Sequence, residues 1–347
     1  MKRKILVGDV HFGEHNNSDQ HNQDLFDFFE WTIGWCEKNL DDKPELVICG
    51  DFFHQRDKLN VRTIDYARAT MKVLSEYFPR IIMVKGNHDL YFRDRRDVSS
   101  IDIFDSTENV EIVDFYHIEG DEMYTSWIID QAEYDEVIKV SKKNKIKTIY
   151  GHFEFSRFKM NDHYIMEHGQ SHKELRHVKQ IFTGHYHGRQ IKDNVVYLGS
   201  PIPFNYNDAN DTERGFCLFD PNTMDYEFVD YGEISIISLS LNELLDATFT
   251  GVETSNKTSI RVVIDEAVDD ETIEKVKAKL EEAEFRDTKV VYNTTRIKDV
   301  MDQETDLGDI VSVDAAIVTH LKNMSEVEGV DRDLLISLFL EAKKQDE

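Results

Sequence analysis

Cysteine is scarce in this sequence, with Cys36, Cys49 and Cys217 the only three in 347 residues. An odd number at such wide spacing builds neither a disulfide framework nor a thiolate zinc site. A reducing cytoplasm is the expected setting. Proline (5) and glycine (16) are also few, which excludes collagen-like and low-complexity chains. No apolar run approaches the roughly 18 residues needed to cross a bilayer. The N-terminus is basic but carries only the short apolar run Ile5, Leu6, Val7 before Gly8, so neither secretion nor membrane embedding is expected. Cations are in deficit as well: Lys and Arg total 41 against 68 Asp and Glu, a formal charge of −27. Such a surface does not hold bare nucleic acid by its own field. If nucleic acid is a substrate, metal ions or a partner must offset the repulsion.

What remains, 40% hydrophobic and 31% charged residues, describes a globular chain long enough for two domains and a terminal appendage. The first half alternates short apolar runs with amphipathic stretches, the pattern of an α/β unit. Ile5–Val7, Leu46–Cys49, Ile81–Val84, Thr148–Tyr150 and Gln180–Thr183 read as buried strands. Helical spacing links Leu25, Phe28, Phe29, Trp31 and Ile33, and again Ile64, Ala67, Met71, Leu74 and Phe78. From Val195 to Tyr231 the texture turns to strands and turns of the same domain, which ends near residue 232. A smaller α+β module follows over 233–298, with strands near 234–239, 260–264 and 289–292 and a charged helix near 271–284. Residues 299–347 hold 13 acidic against 4 basic side chains and read as a linker with two helices.

Each strand of the first domain is followed at once by residues of metal-binding type: Asp9 and His11, Asp51 and His54, Asn87, His88 and Asp89, His152, then His185 and His187. In open α/β sheets the carboxyl ends of the strands share one edge, where ligands bind. Five loops are therefore expected to meet there, with the glycines before them letting backbone approach a metal or phosphate. Carboxylate, amide and imidazole donors without thiolate suit Mn²⁺, Fe²⁺ or Zn²⁺. The seven donors Asp9, His11, Asp51, Asn87, His152, His185 and His187 suffice for two ions, with Asp51 the natural bridge of a two-metal phosphoester site. His15, His21, His117 and His163 lie outside these motifs and read as ordinary histidines.

The ordered set D-x-H, G-D, G-N-H-D, G-H and G-H-x-H over residues 5–190 resembles the calcineurin-like metallophosphoesterase superfamily. Gly50-Asp51-Phe52-Phe53-His54 and Leu198-Gly199-Ser200-Pro201-Ile202-Pro203 resemble its Mre11/SbcD nucleases, and the short acidic chain is most similar to their T4-type phage branch. The resemblance implies a metallophosphoesterase β-sandwich flanked by helices, with a capping domain over 233–298 and C-terminal helices. It implies a first metal on Asp9, His11, Asp51 and His187 and a second on Asp51, Asn87, His152 and His185. Mn²⁺ is the favoured ion and Mg²⁺ an alternative. It implies that His88, oriented by Asp89, stabilises the phosphate or protonates the leaving oxygen, and that His54 positions a DNA phosphate. The implied activity is 3′ to 5′ exonuclease action on duplex DNA and endonuclease action on single strands, in recombination, repair and replication. A small-molecule phosphoesterase or a silent scaffold on the same fold are the rival readings.

Partners are read less directly. The run Leu334–Leu340 is apolar nearly all round, which favours a partner over self-packing; in the resembled family such helices dock on a Rad50-like ATPase. No G-x-x-x-x-G-K-[ST] motif is present, so ATP dependence must come from another chain. On the helix over 61–78 a second stripe of Tyr66, Thr70, Val73 and Tyr77 either packs within the chain or pairs with a second copy; the resemblance favours the homodimer. Arg56, Lys58, Arg93, Arg95 and Arg96 form either a positive rim at the site or a loop neutralised by Asp57, Asp94 and Asp97.

Overall fold

A computed structural model of the chain describes residues 2–161, 164–246, 255–264 and 270–292. The first strands are β1 (Lys4–Val7), β2 (Glu45–Cys49), β3 (Ile81–Val84), β4 (Val110–Val113), β5 (Tyr116–Glu119), β6 (Glu122–Thr125) and β7 (Thr148–His152). A small hairpin of β8 (Lys159–Asn161) and β9 (Tyr164–Ile165) precedes β10 (Gln180–Gly184), β11 (Gln190–Lys192), β12 (Val195–Tyr197), β13 (Gly215–Asp220) and β14 (Asp225–Asp230). They build two six-stranded sheets, ordered β14-β13-β1-β2-β3-β4 and β11-β12-β10-β7-β6-β5.

Strict alternation sorts the side chains into layers. Ile5, Val7, Leu46, Ile48, Ile81 and Met83 face the helices Asp19–Asn39 and Val61–Tyr77, where Leu25, Phe28, Phe29, Met71 and Leu74 cover them. Their neighbours Leu6, Val47, Cys49, Ile82 and Val84 face the second sheet and meet Tyr124, Tyr150, Phe182 and Val196. Beyond that sheet Met123, Ile149 and Ile181 pack on Tyr134 and Val137 of the helix Gln131–Asn144. Strands buried on both faces need continuous apolar runs, which is why the core strands were readable. Away from the ligand-bearing loops, buried Lys4 joins the sheets, reaching Glu45 at 2.6 Å and Glu122 at 3.4 Å.

A separate parallel sheet of β15 (Ser235–Ser240), β16 (Thr258–Ile264) and β17 (Asp287–Tyr292) follows. Ile260, Val262 and Ile264 are buried with Leu241, Leu244, Val276 and Leu280 in a core of their own. This sheet touches the sandwich through polar contacts: Tyr206 Oη donates to Asp287 Oδ2 at 2.9 Å, and Arg286 Nη2 to Asp24 Oδ1 at 3.0 Å.

Within the helix Val61–Tyr77, the expected second stripe packs largely inside the chain. Thr70 and Tyr77 are buried, and Tyr66 and Val73 are half-buried. The expected partner helices of 299–347, including Leu334–Leu340, lie outside the described residues, as does His163. Among the described residues no helix is long and apolar enough to cross a membrane.

Candidate active site

The five ligand-bearing loops do meet, but not along the edge of one sheet. Those after β1, β2 and β3 come from the first sheet, and those after β7 and β10 from the second. The site therefore straddles the seam of the sandwich. A hydrogen bond from backbone to carboxylate closes that seam, His185 N donating to Asp9 Oδ1 at 2.8 Å, while His88 N donates to Asp51 Oδ1 at 2.7 Å between two loops of the first sheet.

Four of the expected ligands occupy backbone that L-residues seldom adopt, with φ of 49° at Asp9, 57° at His11, 52° at Asp51 and 103° at His185. Positive φ costs free energy at non-glycine residues and collects at functional sites. The glycines do something other than admit a metal. A Cβ on Gly86 would lie 2.1 Å from Asp51 Oδ1, and one on Gly184 only 2.4 Å from the Cys49 carbonyl oxygen. They make room for the ligands' own carboxylate and for the two sheets to touch.

Two donor sets result, each with its ligand atoms within 4.8 Å of one another: Asp9, His11 and His187, and Asp51, His152 and His185. Asp51 Oδ2 lies 3.6 Å from His11 Nε2 and 3.3 Å from His152 Nε2, between the sets. Asn87 Oδ1 completes the second, 3.0 Å from His152 Nε2 and 3.1 Å from His185 Nδ1. The His152 ring is fixed by its Nδ1, which donates to the Cys49 carbonyl at 2.8 Å.

Burial dominates the electrostatics. It lifts Asp9 and Asp89 above the carboxylate range and holds His11 well below its ordinary value. It also lowers His187, to about 4. Asp51 goes the other way: burial opposes its charge, yet the neighbouring His152 holds it well below the ordinary value. In return, and against its own burial, Asp51 lifts His152 to about 9.

Above the two sets stand His54 and His88, grouped with His11 in a third cluster. Asp89 does not orient His88 as expected. Its carboxylate accepts from Phe53 N at 3.1 Å and Gly86 N at 2.9 Å, tying two ligand loops together. The His88 ring is instead set by the His54 carbonyl, 2.6 Å from Nδ1. His54 in turn bonds Glu14, which sequence reasoning missed. Although burial opposes it, the His54 hydrogen bond brings Glu14 down to about 2. Arg214 was missed too; buried and paired with Asp208 and Asp211, it donates to the His187 carbonyl at 2.7 Å. Trp127 packs its ring 5.1 Å from that of His185. Neither residue sits in a ligand motif, and neither carried a sequence signal.

The expected rim cations divide. Arg96 is bound by Glu133 and the Trp127 carbonyl, and Arg95 pairs with Asp97 at 3.0 Å. Arg56 is half-buried: burial lowers it, and Asp51 and Asp89 raise it.

Residues 3–194 match the calcineurin-like phosphoesterase family. The chain belongs to that family. Curated relatives align along almost its whole length. "Exonuclease subunit 1" of Enterobacteria phage T4 is 23% identical, covering 98% of this chain and 99% of the relative. "DNA double-strand break repair protein Mre11" of Methanocaldococcus jannaschii is 22% identical, covering 96% and 93%. Among solved structures, a dimetal phosphatase from Danio rerio is 13% identical with a TM-score of 0.38, covering 62% of this chain and 91% of its own. A calcineurin-like phosphoesterase from Bacillus subtilis is 12% identical with a TM-score of 0.37, covering 66% and 88%.

Calcineurin-like phosphoesterases are metallophosphoesterases, and the donors here fit divalent ions on two counts. His11 Nε2 is buried without a hydrogen-bond partner. On the chain's own charges, His152 Nε2 keeps a proton between Asp51 and Asn87. A divalent cation is the stronger charge for that place, and binding releases the proton.

Proposed function

We propose that the chain is a metal-dependent DNA nuclease, the nuclease subunit of an Mre11–Rad50-like complex acting in recombination, repair and replication. The observation that carries the two-metal chemistry is the pair of donor sets with Asp51 Oδ2 within 3.6 Å of a histidine of each. The near full-length alignment with an exonuclease subunit and an Mre11 protein supports DNA as the substrate. Asp9, His11, Asp51 and His187 would hold one ion, and Asp51, Asn87, His152 and His185 the other, with Mn²⁺ favoured. Two such ions polarise a phosphoryl oxygen and supply a nucleophile at neutral pH.

The chain's own residues do the rest. His88 stands over the site with Nδ1 committed to the His54 carbonyl, so its Nε2 is the atom that meets the phosphate or leaving oxygen. His54 positions the strand for exonuclease action. Asp89 holds the loops and does not touch substrate. The reading includes 3′ to 5′ exonuclease action on duplex DNA, endonuclease action on single strands, a homodimer through the exposed side of the helix Val61–Tyr77, and ATPase docking through 299–347.

The test is purified protein with Mn²⁺ or Mg²⁺ on linear duplex DNA, circular single-stranded DNA and a phosphomonoester. DNA cleavage with little phosphomonoester turnover is expected; the reverse ranking establishes the small-molecule phosphoesterase, and no turnover of any substrate the scaffold. A chain truncated from about residue 310 should lose stimulation by the ATPase. Undiminished copurification of the truncated chain refutes the docking assignment alone.

A further inference from the structure

The first donor set has a clamp on its backbone. His187 groups there with Asp9 and His11, and its carbonyl accepts from Arg214 Nη1 at 2.7 Å and from Ser200 N at 3.0 Å. Arg214 is only 4% exposed, and Nη1 donates to the Ser200 hydroxyl as well. The other arm of the guanidinium, Nη2, donates to Asp211 Oδ2 at 2.6 Å and pairs with Asp208 Oδ1 at 3.1 Å. Asp208 turns its second oxygen to backbone, Oδ2 accepting from Phe204 N at 2.7 Å and from Asn205 N at 3.1 Å. The buried Phe204 ring stands 4.9 Å from that of His187 and 5.3 Å from that of His11. One guanidinium thus fixes the His187 backbone directly and, through Asp208, the ring on which both histidines pack.

The loop that supplies Asp208 and Asp211 is docked on all three strands of the smaller sheet. Asn210 N donates to the Ile236 carbonyl at 2.8 Å, and the Asn210 side chain bonds both backbone groups of Ser238, at 3.1 Å each, along the free edge of β15. Tyr206 Oη donates to Asp287 Oδ2 of β17 at 2.9 Å and reaches the Ile260 carbonyl of β16 at 3.4 Å. The second donor set is held within the sandwich: His152 Nδ1 is fixed by the Cys49 carbonyl at 2.8 Å, and His185 Nδ1 lies 3.1 Å from Asn87 Oδ1. Between His185 and His187 the chain is pinned by Tyr186, buried and donating through Oη to the Phe155 carbonyl at 3.0 Å. A shift of the His187 backbone is therefore not passed back to His185. An ion pair this buried is not itself a source of stability, because apolar side chains of the same volume serve as well. What the planar fork adds is geometry, with the carbonyl on one arm and the carboxylates on the other.

We infer that Arg214 is a positioning residue for the first ion and that the loop of residues 205–211 braces it on the smaller sheet, so that affinity for the first ion, and not for the second, depends on how that sheet is docked. The inference rests on the two-ion assignment proposed above and adds to it a control that acts on one ion alone. Partners outside the ligands set how the ligands are oriented, and losing one costs about 10- to 100-fold in metal affinity.

The test follows Mn²⁺ binding to the full chain through the electron paramagnetic resonance of the free ion, fitted to two sites, with Asp9→Asn marking which of the two is the first. Arg214→Lys keeps a cation beside Asp208 and Asp211, so that neither carboxylate is left without a counter-charge, but a single ammonium cannot span both arms. It should weaken the first ion about tenfold and leave the second within about twofold of the parent. Tyr206→Phe combined with Asn210→Gly removes four hydrogen bonds to the smaller sheet, glycine being chosen because Asn210 holds a φ of 65°. That protein should weaken the first ion about fivefold, the low end of coupling between separated sites, with the second unchanged. Its changes lie outside the buried ion pair, so it decides alone where Arg214→Lys does not fold. Parental affinity for the first ion in either folded variant overturns the inference. Equal weakening of both ions, or weakening of the second instead, overturns it too, because general loosening of the site does not choose between them. A parent that binds two Mn²⁺ ions and cuts DNA beside such variants keeps the nuclease reading and loses this one. A parent that binds fewer than two ions defeats the two-ion assignment and the inference together.

Discussion

His54 bonds the Glu14 carboxylate through Nδ1, while its own carbonyl takes the Nδ1 of His88 at 2.6 Å. One acid thereby sets the orientation of two rings standing over the metal ligands. Glu14 is itself held: its backbone N donates to the His11 carbonyl at 3.1 Å, and the preceding Gly13 N donates to Asn22 Oδ1 at 2.9 Å. His54→Ala should lower exonuclease activity more than endonuclease activity. Glu14→Gln should do the same to a lesser degree, by about 10-fold, as for an outer partner that orients a functional histidine. The double variant should be no worse than His54→Ala, because the two act as a unit. Degradation of labelled duplex and nicking of circular single strands, measured on all three proteins, check this; additive losses would show that Glu14 acts elsewhere.

The position of Asp51 Oδ2, 3.6 Å from His11 Nε2 and 3.3 Å from His152 Nε2, sets a ranking among the candidate ligands. Asp51→Asn should reduce occupancy of both ions, whereas Asp9→Asn should chiefly reduce one, since Asp9 groups only with His11 and His187. Metal content by mass spectrometry after dialysis reads the stoichiometry. His88→Ala should keep both ions and lose about 10² to 10⁴ in rate, the range for a lost acid or base. Full turnover with two ions in Asp51→Asn would dismantle the bridging assignment.

Close packing between the loops after β2 and β3 makes a prediction about glycine. Gly86→Ala places a methyl 2.1 Å from Asp51 Oδ1 and 2.2 Å from its backbone N, so loop and carboxylate must both shift. A cost of about 1 to 3 kcal/mol, typical of overpacking, is expected in urea unfolding, together with loss of activity. Gly34, exposed in the helix Asp19–Asn39 with open space at its Cβ, is the control. Gly34→Ala should stabilise by about 0.5 to 1 kcal/mol through helix propensity and leave activity intact.

The same glycines mark what the sequence could and could not convey. Core strands such as Ile81–Val84 were legible because every side chain in them is buried. Edge strands such as Tyr116–Glu119, largely exposed, have no such run and were not read. The division into two sheets was also hidden: β1 pairs on one side with β13, about 210 residues away, and no local pattern encodes that pairing. The candidate ligands were readable as a set because each follows a strand with a chemically distinctive side chain. Glu14 and Arg214 were not, because an acid in a loop and an arginine before a strand are ordinary until the fold sets them against His54 and His187.

His21 should make stability depend on pH. It is only 5% exposed, and its Nε2 has no partner. Burial, aided by His15, lowers it to about 4, against about 6.5 in an unfolded chain. The native state thus favours the neutral ring. Above pH 6.5 neither state carries the proton, and the contribution to stability is complete. As the pH falls through 6.5 the unfolded chain takes up a proton that the native chain refuses, and stability declines until about pH 4. At pH 5 that decline spans about 1.5 units, or about 2 kcal/mol. His11 and His187 are lowered in the same direction, so the test is a difference between proteins. Between pH 7.5 and pH 5 the unfolding free energy from urea titration should fall by about 2 kcal/mol more in the parent than in His21→Phe, which keeps the ring's volume beside Phe204 and cannot titrate. Equal losses in the two proteins would show that His21 accepts its proton in the folded state as readily as in the unfolded one.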